Sequence, residues 1–370
     1  MTVLEQHKAP SLVAGSGRDT AVLDLATARL DIDATFTQFL DAKEESAPGP
    51  EISGLISVMR SFAAGGKRLR PLLCVSGWYA GGGTGDTTAV LRTAVGLELF
   101  QTFALVHDDV MDASDLRRGE PSAHRMLAAA YPGGGRHAKA DAHGMGAAVL
   151  LGDLALVWSD ELLHQALDET RLKRVLPIVD TMRNEVVYGQ FLDLLAAGTP
   201  SGDLEAAMRV ARYKTAKYTV ERPLHIGAAL AGAGPQVLEA CTAFALPLGE
   251  AFQLRDDLLG VFGDPAQTGK PVLDDLRGGK ATVLMALAVQ RASTAERDEL
   301  QGLVGTPDLD EAGAERVRTV LETTGARQSV EEMIGARLET ALAALDHASF
   351  PPAATAALRE IAQAATARQA

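Results

Sequence analysis

The stretch Thr88–Asp109, TAVLRTAVGLELFQTFALVHDD, decides the fold. From Thr88 to His107 it is apolar nearly all round, without the alternation of apolar and polar residues that marks a half-buried strand. A helix with that pattern belongs inside a bundle, because a surface helix would keep a polar face. It then runs into two carboxylates, Asp108 and Asp109. Carrying carboxylates into a protein interior is costly unless cations meet them there. Downstream, Phe244–Val261, FALPLGEAFQLRDDLLGV, repeats the arrangement with Asp256 and Asp257. Two interior helices that each present paired aspartates are the main organisational fact of this sequence.

Around these two helices the chain reads as helix after helix from Leu23 onward, rich in alanine and leucine. Breaks fall at 45–51, 79–86, 131–144, 196–203, 231–235, 264–279 and 305–313. They separate about ten or more helices and leave no convincing strand hairpin. Residues 1–25 are polar and predict a loose, disordered lead-in. Residues 26–370 predict one all-α domain, a bundle around a central cleft. The segment 131–144, YPGGGRHAKADAHG, reads as an inserted surface loop.

Composition narrows the function. A net charge of -13 argues against nonspecific nucleic-acid binding, which needs a broad basic face. It leaves room for a small anionic ligand, because local clusters and metal ions set the field in a cleft. Mean hydropathy is only +0.05, and Glu98, Asp153 and Arg222 cut the longest apolar runs, so no transmembrane segment is expected. The first residues lack the basic and apolar regions of a secretory signal. Cys74 and Cys241 sit in apolar settings without metal-ligand spacing and read as buried thiols of a reducing, cytoplasmic compartment.

Asp108 and Asp112 lie one helical turn apart on one face, with Asp109 alongside. Like charges at that spacing repel, and they become favourable when hard divalent cations bridge them. FQLRDDLLG (252–260) sets Gln253 one turn before Asp256 and Asp257, a second carboxylate face. Two such faces clamping metal ions against a diphosphate would ease its departure as a leaving group. Cations are spread through the rest of the chain: Lys67 and Arg70 in GGKRLRP, Arg117 and Arg118 in DLRRG, Lys214 before Thr215, and Lys270. GGKR lacks the GxxxxGK[ST] pattern and no strand precedes it, so it is not a P-loop. Arg68 reads as a surface cation. Arginine forks and lysine point charges could together hold two diphosphates.

An ordered series of motifs now carries a resemblance: GGKRLRP (65–71), ELFQTFALVHDDVMD (98–112), DLRRG (115–119), LLGDLAL (150–156), GQFLDLL (189–195), KTA (214–216), FQLRDDLLG (252–260) and the GK and DDLRGGK run (269–280). From about Leu30 to Leu345 the chain resembles the trans-isoprenyl diphosphate synthases, the polyprenyl synthetase family. The resemblance implies an all-α isoprenoid-synthase fold, a homodimer and Mg²⁺, with about three ions held by carboxylates and phosphate oxygens. It implies head-to-tail condensation of isopentenyl diphosphate with the allylic dimethylallyl, geranyl and farnesyl diphosphates. Asp108, Asp112 and Asp256 look like the direct metal ligands, with Asp109 and Asp257 supporting them. Arg117, Lys214 and Lys270 resemble the allylic-diphosphate binders, and Lys67, Arg70 and Arg118 the isopentenyl-diphosphate binders. Thr215 and Gln253 would stand beside the developing allylic cation, where oxygen dipoles stabilise positive charge. Gln190 and Asp193 would back the metal ligands.

This chain departs from the family pattern twice. Gln101 stands where many members have histidine; it still donates a hydrogen bond but carries no charge, so weaker isopentenyl-diphosphate binding is expected. The second aspartate motif ends in Gly260 rather than aspartate. No side-chain base suggests itself, and the proton lost after condensation is expected to leave with the diphosphate. His107 reads as a packed histidine; His124, His137 and His143 lie in or near loops and receive no role.

Product length follows from the residues before the first aspartates. Ala104 lies one turn, roughly 5–6 Å, from Asp108, with Phe103 beside it. In the family, bulky residues at both places stop growth at the C15 product. A small residue at 104 and an aromatic at 103 resemble geranylgeranyl diphosphate synthases, so a C20 product is expected, with farnesyl diphosphate as the alternative. A non-catalytic partner subunit would lack one of the metal or diphosphate sets, and all are present here. A class I terpene cyclase would not need Lys67, Arg70 and Arg118.

Overall fold

A computed structural model describes residues 13–14, 22–132, 138–263 and 273–367. The helices run in the order α1 (Leu25–Glu45), α2 (Pro50–Ala63), α3 (Leu69–Ala80), α4 (Thr88–Met111), α5 (Ala123–Ala129), α6 (Ala138–Ala166) and α7 (Glu169–Ala196). Then come α8 (Leu204–Val210), a π-helical stretch (Ala211–Glu221), α9 (Arg222–Ala231), α10 (Pro235–Phe262) and α11 (Asp274–Arg277). The chain finishes with α12 (Val283–Arg291), α13 (Thr294–Leu303), α14 (Glu311–Thr323), α15 (Ala326–His347) and α16 (Pro352–Thr366). The all-α class and the helical bundle agree with the sequence reading.

The apolar stretch Thr88–His107 lies within α4. Apart from Arg92 the helix is buried from Val90 through Thr102, and again at Val106 and Asp109. It packs against α3, α6 and α1, as a helix without a polar face must. Among the described residues it is the one helix long and apolar enough to cross a membrane, yet 72% of that apolar window is buried in the fold. A larger core gathers α1 to α4, α6, α7, α9 and α16, and a smaller one lies between the end of α10 and α12 to α15. Cys74 and Cys241 are buried and unpaired, as expected. Helix starts follow ordinary capping chemistry: Asp24, Asp168 and Asp203 each accept a backbone N–H of the first turn.

Three local features differ from the sequence reading. Residues 138–144 are not loop but the first turns of α6. Gly144 is a contact point: a Cβ there would stand 2.3 Å from the His124 carbonyl, so α6 approaches α5 backbone to backbone. His124 and His143 accordingly lie in helices α5 and α6, while His137 falls outside the described residues. There is also a small hairpin, Leu116–Arg117 (β3) against Glu120–Pro121 (β4); Val13–Ala14 (β1) and Val22–Leu23 (β2) form the other pair. Its two-residue loop puts Arg118 at φ 56° and Gly119 at φ 82°, the doubly left-handed turn that suits tight hairpins.

The π-helical stretch is the third. It lies between α7 and α10, and glycines make the fit possible. A Cβ on Gly189 would be 2.2 Å from the Lys214 backbone nitrogen, and one on Gly249 would be 2.7 Å from the Ala216 Cα. Only bare backbone on both sides admits a helix this wide, and such wide turns recur at functional sites. This one carries Lys214, Thr215 and Tyr218.

Candidate active site

The ends of α4 and α10 meet at a cavity of about 1270 Å³, walled also by α3, α7, the π-helical stretch and the last turns of α16. Most of the residues singled out from sequence line it: Lys67, Arg70, Gln101, Ala104, Asp108, Arg117, Arg118, Gln190, Asp193, Lys214, Thr215, Gln253, Asp256 and Asp257. Lys270 lies outside the described residues.

At the α4 end the carboxylates are met by cations. Lys214 Nζ donates to Asp108 Oδ1 at 3.0 Å and also to Asp193. Gln190 Nε2 donates to the same Asp108 oxygen at 3.1 Å. Arg117 donates through Nε to both oxygens of Asp109, at 3.0 and 3.2 Å, and through Nη2 to Asp108 at 3.4 Å. Asp112 closes the helix and sits 3.2 Å from Lys280 Nζ. Burial by itself would raise the Asp108 carboxyl, but Lys214, Lys280 and Arg117 hold it well below the usual carboxylate range. Asp109 is fully buried and does not reach the cavity wall. Its work here is to hold Arg117.

The α10 end is built differently. Asp256 faces the cavity, while Asp257 accepts from Gln253 Nε2 at 2.7 Å. Burial first, then the Asp275 and Asp256 charges, push the Asp257 carboxyl up to about 7 against the opposing Gln253 bond. Gly260 explains its own place in the motif. A Cβ there would stand 2.0 Å from Asp275 Oδ2, so the missing side chain makes room for a carboxylate from the DDLRGGK run. Asp275 lies 3.5 Å from Lys280 Nζ, and Lys280 thereby joins the two ends of the cavity.

A second group of cations gathers at the α3 end. Arg70 lies with its guanidinium carbon 4.2 Å from the centre of the Tyr218 ring and donates to Thr219 Oγ1 at 2.5 Å. The Tyr218 hydroxyl donates to Gln101 Oε1, which leaves the Gln101 amide N–H groups for an anion. Arg118 Nη1 donates to the Ala64 carbonyl at 3.3 Å. Arg68 corrects the sequence reading: it is no surface cation but 6% exposed, bonded to Glu98 at 2.7 Å and to Asp33 at 2.7 Å. An arginine read as free in sequence is buried here because two carboxylates from α1 and α4 surround it.

Ala104 lines the cavity one turn from Asp108. Phe103 stands beside it, ring centres 5.4 Å from Phe100 and 4.8 Å from His107, and is not on the wall itself. His107 Nε2 faces the Val149 carbonyl at 3.0 Å, the packed histidine expected. The sequence reading missed Tyr218, Asp275 and Lys280. Lys280 had a signal, the last residue of DDLRGGK; Tyr218, one turn past Lys214, did not.

Oxygen-only carboxylates suit a hard cation such as Mg²⁺. Among the described residues no three carboxylates cluster tightly enough to cage an ion alone. Mg²⁺ bound by one or two carboxylates plus substrate phosphates needs no such cage, so the donor set fits it.

The sequence profile of the family described as polyprenyl synthetase matches residues 54–322. The chain belongs to the polyprenyl synthetase family. It is therefore a prenyltransferase. It is 33% identical over 297 residues to a geranylgeranyl diphosphate synthase of Mycobacterium tuberculosis, a match covering 79% of each chain. It is 32% identical over 272 residues to a geranylfarnesyl diphosphate synthase of Aeropyrum pernix, covering 72% of this chain and 79% of that one. Among solved structures it superposes on a Corynebacterium glutamicum geranylgeranyl pyrophosphate synthase, described as complexed with isoprenyl diphosphate and magnesium, with a TM-score of 0.89 and 39% identity. That match covers 94% of this chain and 100% of the other.

Proposed function

We propose that this polyprenyl synthetase condenses isopentenyl diphosphate head-to-tail with allylic diphosphates and releases geranylgeranyl diphosphate. One observation carries the reading: a single cavity holds two opposed aspartate ends and, apart from them, a second group of cations at Lys67, Arg70 and Arg118. A cyclase, with one diphosphate to hold, has no use for that second group.

On this reading the residues take the following roles. Asp108, Asp112 and Asp256 would hold Mg²⁺, with Asp109 and Asp257 behind them, and Lys214, Arg117 and Lys270 would bind the allylic diphosphate. Bound Mg²⁺ supplies charge neutralisation that lowers the cost of diphosphate departure, about three ions for the allylic group. Lys214 and Lys280 add fixed positive charge to the same end. Thr215 and Gln253 turn oxygen dipoles toward the allylic carbon as it gains positive charge. Lys67, Arg70, Gln101 and Arg118 hold the isopentenyl diphosphate so that its double bond faces that carbon. Among the described residues no histidine lines the cavity, and the departing diphosphate takes the proton.

Ala104 beside Phe103 favours the C20 product, and farnesyl diphosphate is the shorter alternative. A homodimer is supported by the exposed apolar side chains of α6 and α7, among them Leu150 (64% exposed), Val157, Tyr188, Phe191 and Leu195 (67%). Several large apolar side chains exposed on the same two helices accord with an association surface. The two buried thiols accord with a cytoplasmic location. The deciding experiment incubates the protein with Mg²⁺, isopentenyl diphosphate and each C5, C10 and C15 allylic diphosphate, and measures product chain length. Hydrocarbon formed from geranylgeranyl diphosphate alone would instead make the protein a cyclase.

A further inference from the structure

The turn between α2 and α3, which lines the cavity at Gly66, Lys67 and Arg68, is held in a shape an arginine disfavours. Gly65, Gly66 and Arg68 have φ of 72°, 76° and 52°. Three guanidinium groups tie its carbonyl oxygens. Arg68 Nη1 donates to Ala63 O at 2.9 Å, and Arg118 Nη1 to Ala64 O at 3.3 Å. Arg29 Nη2, from α1, donates to Gly66 O at 2.8 Å. One turn along α1, Asp33 accepts from Arg68 Nε at 2.7 Å. One face of α1 therefore grips the turn at both ends, Arg29 at Gly66 and Asp33 at Arg68, with Lys67 between. Arg29 also lines the cavity next to Lys67, Arg70 and Arg118. A Cβ on Gly66 would come within 3.1 Å of the Arg118 guanidinium, so the peptide that Arg29 holds is the one Arg118 rests on.

We propose that Arg29 is a positioning residue for the diphosphate of isopentenyl diphosphate, fixing the 65–68 turn so that Lys67 and Arg118 meet the anion together. This rests on the function proposed above. The physical reason is electrostatic. Carbonyl oxygens turned toward a diphosphate would repel it, whereas carbonyls bound to guanidiniums leave the N–H side of a left-handed turn for the anion. Arg29 stands on the first helix, far in sequence from the other diphosphate-site residues, and no motif includes it.

The test compares Arg29→Gln and Arg29→Lys with the wild type in steady-state kinetics, varying isopentenyl and farnesyl diphosphate in turn. Hydrogen exchange of the 64–68 amides is followed in the enzyme without substrate. Arg29→Gln is expected to raise KM for isopentenyl diphosphate about tenfold, as loss of a charge-assisted bond does. KM for farnesyl diphosphate should stay put, and exchange at 64–68 should quicken. Arg29→Lys, which keeps the charge without the fork, should fall between. An unchanged KM for isopentenyl diphosphate, an equal rise in both KM values, or unchanged exchange at 64–68 overturns the proposal. A wild type that never consumes isopentenyl diphosphate overturns the proposed function instead, and the exchange measurement still reports whether Arg29 holds the turn.

Discussion

The two aspartate-bearing helix ends look alike in sequence and are built on opposite electrostatic plans. At the end of α4, Asp108 and Asp109 are surrounded by Arg117, Lys214 and Lys280, and the Asp108 carboxyl is held well below its ordinary range. At the end of α10, Asp257 is buried beside Asp256 and Asp275, and its carboxyl is pushed up to about 7. Asp108 is ionised and compensated, whereas Asp257 takes up and releases its proton around neutrality. The same dipeptide thus serves two purposes, and the difference lies in what the surrounding helices bring to it. Two fully ionised ends facing each other across one cavity would repel, and the asymmetry reduces that repulsion.

The largest effect that would break the comparison is at the compensated end. Asp108→Ala should lower turnover by at least about 10³-fold with every allylic substrate, since on the proposed function it removes a metal ligand, and with it the partner of Lys214. Retained activity would remove the metal clamp. Next comes Lys280, which lies beside carboxylates at both ends: Lys280→Met should cost about 10²-fold in kcat/KM for the allylic substrate, read by steady-state kinetics. Gly260→Asp sharpens the contrast further. It completes the aspartate motif on paper but drives a side chain into Asp275, so we expect about a tenfold loss of activity and a lower Tm. Asp275→Gly in the same chain should recover much of both, and failure to recover would separate Gly260 from Asp275.

Smaller effects follow from pH and from the wall. The Asp257 carboxyl is raised in the fold, so the native state binds a proton that the unfolded chain releases above pH 4 or so. Its contribution to stability is complete below that point and is lost as pH rises through about 7. Metal-free thermal unfolding should therefore show Tm declining across this window in the wild type, and a flatter profile in Asp257→Asn. Smallest in rate, though plainest in outcome, is Phe103→Ala: products longer than C20 should appear with kcat little changed. Unchanged chain length would mean that Phe103, which sits behind the wall, does not set the depth.

Much of this site could be read from the sequence because helical spacing converts directly into geometry. Asp108, Asp112 and Gln253 through Asp257 needed only the 3.6-residue turn to be placed on faces, and the apolar runs ahead of them placed those faces indoors. What escaped depended on contacts between distant segments. Arg68 was misread because its partners, Asp33 and Glu98, lie on two other helices. Gly260 looked like a loss until Asp275 was seen in the space beside it. Residues 138–144 read as loop because the contact of Gly144 with α5, which only the fold brings about, leaves no local signal. The π-helical stretch had no local signal at all, since its width is permitted by Gly189 and Gly249 on the flanking helices. Lys270 lies outside the described residues, and its place at the allylic diphosphate remains a proposal.

The two cysteines have a practical consequence. Both are fully buried, and burial pushes the Cys241 thiol up to about 12 and the Cys74 thiol higher still. Thiolate is the reactive form, so neither should take up an alkylating reagent while the fold is intact. To maleimide dyes the native surface is blank. A single cysteine introduced on an exposed turn of α16 would be labelled alone, without first deleting a native residue. Fluorescence from that one position could then report how the last helix responds as substrate fills the cavity.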